Sequence, residues 1–488
     1  MENTLYYGDN LEILRKYIKD ESVDLIYLDP PFNSKANYNV LFKDESGESK
    51  AQIQAFTDFW HWDEESAKTY DYLVTNPNVP AKVSNLISAF HSFLGQNQMS
   101  AYLVMMAVRL IELHRVLKSS GLLYLHCDPT ASHYLKILLD VIFGEENFRN
   151  EIVWCYAGGG IPKKDFPNKH DIIFRYSKDD GYFYQPEYHE YSERTIKIGG
   201  GRHSLTSGGG ILDLERGTPI NDWWADLPKL TSYQKEWLGY PTQKPLGLLE
   251  RIVKTSSKDG DIVLDPFCGC GTTIDATNKI NKETHTNRTW IGIDITHLAI
   301  NLIKRRINER YLDCKFDVIG EPKDIEGARD LALKDRYQFE WWALSLIDAR
   351  PANDKKKGAD QGVDGIILLR NPNMKEPIKT IVQVKSGHVK SDMITALKGA
   401  MERDKAKYAV FITLEEPTQP MIKEALEKGF ETEPLTNEKI PKVEIITIKE
   451  LLEGKTLKLQ QVYDRINITY QKAKKDKPKD EKGYYKKF

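Results

Sequence analysis

Two short apolar runs in this sequence each close on an Asp-Pro pair, and they restrict the fold more than any other feature. The first is VDLIYLDP, residues 23–30, and the second is DIVLDP, residues 261–266. An apolar run of this length, bounded by turn formers, reads as a buried strand. Stretches with apolar residues at helical spacing surround both. LEILRKYIKD (11–20) precedes the first, and AYLVMMAVRLIELHRVL (101–117) and YLKILLDVIFG (134–144) follow it. PLGLLERIVKTSS (245–257) and GTTIDATNKI (271–280) flank the second. LLYLHCD, NEIVWCY, DIIFRYS and TWIGIDI read as further strands, with Ser119-Ser120-Gly121 as the turn before LLYLHCD. Strands alternating with helices imply a mainly parallel sheet covered on both faces, an α/β fold. The chain has 488 residues, too many for one ordinary domain.

Two stretches break the alternation. Residues 33–98 are polar and aromatic without a clean period and read as loop and short helix. Residues 157–222 are rich in glycine, tyrosine and charge, the composition of a variable binding insert. Lys163, Lys164, Lys169, Arg194, Lys197 and Arg202 lie there, as phosphate contacts or as solvated charges.

The residues after each Asp-Pro carry chemistry. In Asp265-Pro266-Phe267-Cys268-Gly269-Cys270-Gly271-Thr272-Thr273, glycines let the backbone turn tightly against a ligand, and a helix N-terminus offers free N–H donors. Asp294 ends the next strand, where a carboxylate can accept both ribose hydroxyls of an adenosine group. Asp29-Pro30-Pro31-Phe32 suits work on an aromatic amine, whose lone pair is delocalised into its ring. Acceptors on both amino hydrogens turn that lone pair toward an electrophile. Asp29 offers one acceptor and the Pro30 carbonyl another, the prolines stiffen the loop and remove competing N–H donors, and Phe32 can stack on the base. Either segment alone also fits a plain strand-end turn.

Together the two segments resemble the DNA amino-methyltransferases, specifically their beta class, in which the catalytic motif precedes the cofactor motif. The resemblance covers about residues 1–310. It implies a Rossmann-like fold with permuted motif order, S-adenosyl-L-methionine as cofactor and double-stranded DNA as partner. Gly8-Asp9-Asn10 is similar to the motif whose aspartate meets the cofactor's adenine, and Tyr240-Pro241-Thr242-Gln243-Lys244-Pro245 to the segment beside the cofactor. The resemblance thus implies cofactor contacts at Asp9, Lys244, Asp265, Phe267, Gly269, Gly271, Thr272 and Asp294. It implies base chemistry at Asp29, Pro30, Pro31 and Phe32, and target recognition by 157–222. Aspartate first in the catalytic motif resembles the adenine-N6 members; cytosine-N4 stays open. The family often dimerises, so a homodimer is also open.

A second, smaller α/β unit begins past a composition break near 313–335. Its helix-like YQFEWWALSLIDA (337–349) is followed by three strands, GVDGIILLR, KTIVQVKSG and KYAVFITL. Gln383 and Lys385 are two apart on one strand and share a face. Asp364 can bind a divalent metal, Lys385 can polarise an attacking water, and Glu340 can add a carboxylate. This unit resembles the PD-(D/E)xK nucleases, closest to Mrr-like restriction domains, with Gln383 where an acid is usual. Asp364, Gln383, Lys385 and Glu340 are then catalytic, with magnesium on Asp364; a domain that only binds DNA or a partner is the alternative. The expected layout is a methyltransferase domain over 1–312, a nuclease domain over 325–465 and a charged, disordered tail over 468–488.

The rest of the composition narrows the class. The five cysteines lack metal or disulfide spacing, so Cys268 and Cys270 are read as small packing residues. His126 is read as a structural histidine, and Trp223, Trp224 and Trp237 as core. The formal net charge of -2 neither requires nor excludes a DNA partner. The N-terminus lacks a signal-peptide pattern and no apolar run spans a bilayer, so a cytoplasmic protein is expected.

Overall fold

The computed structural model describes residues 2–31, 37–42, 51–57, 62–157, 162–190, 217–231, 234, 236–238, 240, 242–352, 362–369, 377–433, 437–463 and 469. The larger sheet takes strands β1 (Asn3–Tyr7) and β2 (Val23–Leu28), which flank helix α1 (Asn10–Tyr17). A hairpin, β3 (Asn37–Phe42) with β4 (Ala51–Thr57), leads to helices α2 (Glu64–Thr75), α3 (Ala81–Leu94) and α4 (Gln98–Val116). Then come β5 (Leu117–Cys127), α5 (Pro129–Phe143), β6 (Phe148–Cys155) and β7 (His170–Ser177). Two-residue strands β8 (Tyr188–His189), β9 (Thr218–Pro219) and β10 (Trp223–Trp224) follow. The sheet is completed through α6 (Leu246–Ser256), β11 (Ile262–Asp265), α7 (Thr272–Thr284), β12 (Thr289–Asp294), α8 (His297–Arg310) and β13 (Phe316–Ile319).

Its order is β10-β6-β7-β5-β2-β11-β12-β1-β13, and within it only β7 runs antiparallel to its neighbours. Alternate residues of β2 serve opposite faces, as a pleated strand requires. Ile26 and Leu28 pack with α1 and the α2–α5 helices, while Leu25 and Tyr27 pack with α6 and α7. This is the doubly covered α/β sheet that the alternating pattern implied. No described helix is long and apolar enough to cross a membrane.

Some expectations need correction. Within 33–98 stand two full helices, α2 and α3, in place of loop and short helix; each buries only a narrow stripe, Leu73 in one and Val83, Ile87 and Phe90 in the other. Ser119 and Ser120 do not separate helix from strand. They bulge to solvent inside β5, whose pairing with β2 jumps from Leu117 to Leu122. β13 pairs with β1 beyond residue 312, so the first unit's sheet runs further than expected. Of the insert, residues 158–161 and 191–216 lie outside the described residues, as does the tail except Thr469. That residue is buried, and its hydroxyl accepts the Leu368 N–H at 2.9 Å.

The C-terminal unit opens on α9 (Ile325–Lys334) and α10 (Arg336–Ser345). Its sheet holds β14 (Arg350–Pro351), β15 (Gly365–Leu369), β16 (Ile378–Lys385), β17 (Tyr408–Thr413) and β20 (Val443–Thr447), in that order, while β18 (Phe430–Thr432) and β19 (Lys439–Pro441) pair with each other. The VEIIT strand, β20, was not among the three expected; it pairs parallel to β17. β14, β15 and β16 are antiparallel neighbours, while β16, β17 and β20 run parallel. Phe339, Trp342 and Leu344 of α10 fill one face of this sheet; α11 (Ser391–Arg403) and α12 (Gln419–Glu427) cover the other.

Candidate active site

Four strands adjacent in the large sheet, β2, β11, β12 and β1, end side by side, and the site is built on their carboxyl ends. The loops there enclose a cavity of about 300 Å³ that includes Asp9, Asp29, Pro30, Pro31, Lys244, Asp265, Phe267, Gly269, Thr272 and Asp294 in its lining. Open α/β sheets bind ligands at this end of their strands. Residues expected from five separate parts of the sequence thus share one cavity. Phe32 lies outside the described residues.

The glycine turn after β11 has the conformation its sequence demands. Gly269 and Gly271 have φ of 49° and 76°, in the left-handed region. A Cβ on Gly271 would also lie 2.7 Å from Ile303, so both conformation and contact require glycine. Gly271 stands at the N-cap of α7, whose first turn opens toward the cavity with Thr272 and Thr273. Cys268 and Cys270 are buried packing residues, and among the described residues no group of three or more His, Cys, Asp or Glu side chains could hold a metal ion.

Each carboxylate of the cavity is held by donors. Asp265 accepts the Phe267 N–H at 3.1 Å and the Thr273 hydroxyl at 2.5 Å. Burial pushes it up to about 7 against the pull of those two bonds, with the Asp29 and Asp294 charges adding to the rise. Asp294 accepts the Gly269 N–H at 3.0 Å and the N–H and hydroxyl of Thr296 at 2.9 Å each. Burial pushes it up to about 6 despite these donors. Asp9 caps α1 by accepting the Leu11 and Glu12 N–H groups, and its other oxygen takes Arg109 Nη2 at 2.6 Å. Arg109 also donates to Asn10, whose amide donates in turn to the Pro266 carbonyl at 2.8 Å. Asp29 forms an ion pair with Lys244, and the two side chains are 15% and 9% exposed.

Several contributors went unread in the sequence. Thr273 holds Asp265, Thr296 holds Asp294, and Arg109 holds Asp9. Arg109 had a signal, since it interrupts an otherwise apolar stretch of α4. His126 behaves as expected of a structural histidine: it is fully buried, with Nδ1 at 2.9 Å from the Tyr27 hydroxyl and Nε2 at 3.2 Å from Asp171. Trp224 is core, but Trp223 is 59% exposed on the edge strand β10 and corrects the expectation that it is buried.

The second site lies on the C-terminal sheet. Gly365 pairs with Val382 in antiparallel register, which puts Asp364 opposite Gln383, one step along. Asp364 is buried and accepts the Val384 N–H at 2.8 Å. Gln383 is buried, and its Oε1 has no hydrogen-bond partner among the described residues. Lys385 is half-buried at the end of β16, and Glu340 is buried on α10, which packs against β14 and β16. An orphaned amide oxygen opposite a carboxylate fits a hard divalent cation, which takes oxygen ligands.

Residues 23–305 match a family model described as DNA methylase, which is more than half of the chain. The chain belongs to the DNA methylase family. It is therefore an enzyme that acts on DNA, from a family that depends on S-adenosylmethionine. Residues 335–453 match a second family model, described as restriction endonuclease, over the C-terminal sheet. Among similar proteins is the type II methyltransferase M.HpaI of Haemophilus parainfluenzae, 30% identical over 247 residues, 49% of this chain and 71% of that protein. The DNA adenine methyltransferase YhdJ of Escherichia coli K12 is 26% identical over 315 residues, 62% of this chain and 82% of that protein. Among solved structures, the cytosine-N4-specific PvuII DNA methyltransferase overlays with a TM-score of 0.37 at 13% identity, covering 65% of this chain and 95% of that one.

The cavity suits that family's methyl donor. S-adenosylmethionine carries a positive sulfonium and an adenosine, and the lining supplies carboxylates for the charge and for ribose hydroxyls, with a glycine turn for close backbone approach.

Proposed function

We propose that this methylase transfers a methyl group to the exocyclic amino group, N6, of adenine in double-stranded DNA. The observation that carries the reading is that Asp29, Pro30 and Pro31 line the same cavity as Asp265, Asp294 and the glycine turn. The bound cofactor supplies an electrophilic methyl on sulfur. Asp294 accepts ribose hydroxyls, and Asp9, Phe267 and Thr272 border the adenosine. Asp29 and the Pro30 carbonyl accept the two amino hydrogens, which turns the nitrogen lone pair toward that methyl. The base first leaves the duplex, because its amino group faces its pairing partner. The aspartate that opens the catalytic motif supports adenine over cytosine, as does the similarity to a protein named as an adenine methyltransferase. Residues 157–222 read the target sequence in this account.

For the C-terminal unit we propose magnesium-dependent cutting of DNA, with the metal on Asp364 and Gln383 and with Lys385 polarising the water. The neutral amide of Gln383 favours a second reading, a domain that binds DNA without cutting it, because an amide holds a metal more weakly than a carboxylate does.

The methylation reading is tested with Asp29→Ala. Single-turnover transfer falls by at least about 10²-fold, as when one transition-state contact is lost, while calorimetry gives native affinity for S-adenosylmethionine. Transfer within about tenfold of wild type sinks the assignment.

A further inference from the structure

Lys244 comes from the segment that the sequence places beside the cofactor, yet its ammonium meets the catalytic aspartate. We infer that Lys244 is a positioning residue for Asp29 and not a ligand of the methyl donor. The inference rests on the amine-methylation reading and deepens it.

Three features support it. The first is the contact: Lys244 Nζ pairs with Asp29 Oδ2 where both side chains are largely shielded from water. An ion pair so enclosed keeps its geometry better than a solvated one.

The second is how the fold delivers Lys244 there. Leu25 and Tyr27 of β2 point to the face covered by α6, and Asp29 follows just past the end of the strand. α6 buries Leu248, Leu249, Ile252 and Val253 on it, which fixes the start of the helix over the end of β2. The segment before α6 is braced through Gln243, whose side chain donates to the Glu236 carbonyl at 2.8 Å and accepts the Leu238 N–H at 2.7 Å. Lys244 therefore reaches Asp29 from a supported backbone.

The third is the division of labour on the carboxylate. A carboxylate has about four lone-pair sites, so an ammonium on Oδ2 leaves Oδ1 for an amino hydrogen of the base. Without that anchor Asp29 loses the ammonium that holds Oδ2. It would also stand without its counter-ion in a cavity that already holds Asp265 and Asp294. The groups around the pair include Tyr27 from β2, His126 and Cys127 from β5, Asp171 from β7, Asp265 at the end of β11, and Lys229.

The experiment uses the full chain, labelled S-adenosylmethionine and unmethylated DNA, and compares Lys244→Met and Lys244→Arg with wild type. Single-turnover transfer at saturating cofactor should fall on the order of 10²-fold in Lys244→Met, with the cofactor Kd within about threefold of native. Lys244→Arg should recover most of the rate, because a guanidinium keeps a cation on Asp29. A cofactor Kd weakened at least about tenfold, with the saturated rate unchanged, overturns the proposal and makes Lys244 a cofactor ligand. No change in either quantity also overturns it. Should Lys244→Met fail to fold, Lys244→Gln reads the same split: a lowered rate with native Kd supports positioning, and a weakened Kd with native rate contradicts it. Failure of the underlying reading looks different, since Asp29→Ala would then stay active whatever Lys244 does.

Discussion

At the rim of the large sheet, Asp9, Asp29, Asp265 and Asp294 each already accept a hydrogen bond or an ion pair from Arg109, Lys244, a threonine hydroxyl or a backbone N–H. On the C-terminal sheet, Gln383 buries an amide oxygen with no hydrogen-bond partner among the described residues, directly across from Asp364. An unsatisfied buried polar atom costs about 1–3 kcal/mol. The carboxylates of the methylase cavity thus each already have a donor, whereas the second site holds an acceptor with none among the described residues. The difference predicts that cofactor binding tunes an existing network, while metal binding completes an unfinished one.

The largest effect should come from the second site. With magnesium and unmethylated plasmid, Asp364→Ala or Lys385→Ala should remove cleavage entirely and leave methylation at the wild-type rate. Cleavage surviving in Asp364→Ala would break the assignment of the metal. An absence of magnesium-dependent cutting in the wild type, checked against EDTA, would favour the binding-only reading and reduce the comparison to one catalytic site.

A smaller effect is expected at the cofactor carboxylate. Asp294→Ala should weaken S-adenosylmethionine binding by about 1.5–3 kcal/mol, the contribution of hydrogen bonds to a charged group, which is about ten- to 150-fold in Kd. Calorimetry with unchanged affinity would mean that the adenosine lies elsewhere in the cavity.

The smallest and most diagnostic effect is on pH dependence. Asp265 and Asp294 are raised to about 7 and about 6, chiefly by burial. Their unfolded pKa is about 3.9, so the folded protein binds extra protons across this window. Their contribution to stability is therefore present below about pH 4 and lost as pH rises through about 6 to 7. A cationic ligand favours the ionised carboxylates, so binding releases protons and affinity should rise between pH 5.5 and pH 8, an interval chosen to bracket about 6–7. Thermal melting should show a larger cofactor-induced rise at the upper pH. A rise that is equal or larger at the lower pH would contradict cofactor binding to these two groups in their ionised form.

Much of the large sheet could be read from residue pattern, because VDLIYLDP and DIVLDP are buried on both faces and end where the pattern stops. Their terminal carboxylates, together with Asp294, mark the cavity from sequence alone. The partners of those carboxylates could not be read so easily. Lys244 meets Asp29 across 215 positions of sequence, a juxtaposition that belongs to tertiary packing alone. Arg109 hides inside an apolar helix, legible only as a charge out of place. α2 and α3 escaped because each buries so few residues that its period sinks among polar and aromatic neighbours. On the C-terminal sheet the Gln383–Lys385 spacing was legible, but the register that sets Asp364 opposite Gln383 emerges only from the pairing of β15 with β16.

The central claim, that the Asp29 cavity methylates an adenine amino group, is tested most directly by identifying the modified base. Duplex DNA incubated with the purified chain and isotopically labelled S-adenosylmethionine is digested to nucleosides and analysed by mass spectrometry. Label in N6-methyladenine, absent with Asp29→Ala, is the predicted result. Label in N4-methylcytosine would keep the amine chemistry but contradict the choice of base, and label on a ring carbon or on no base at all would contradict the account itself.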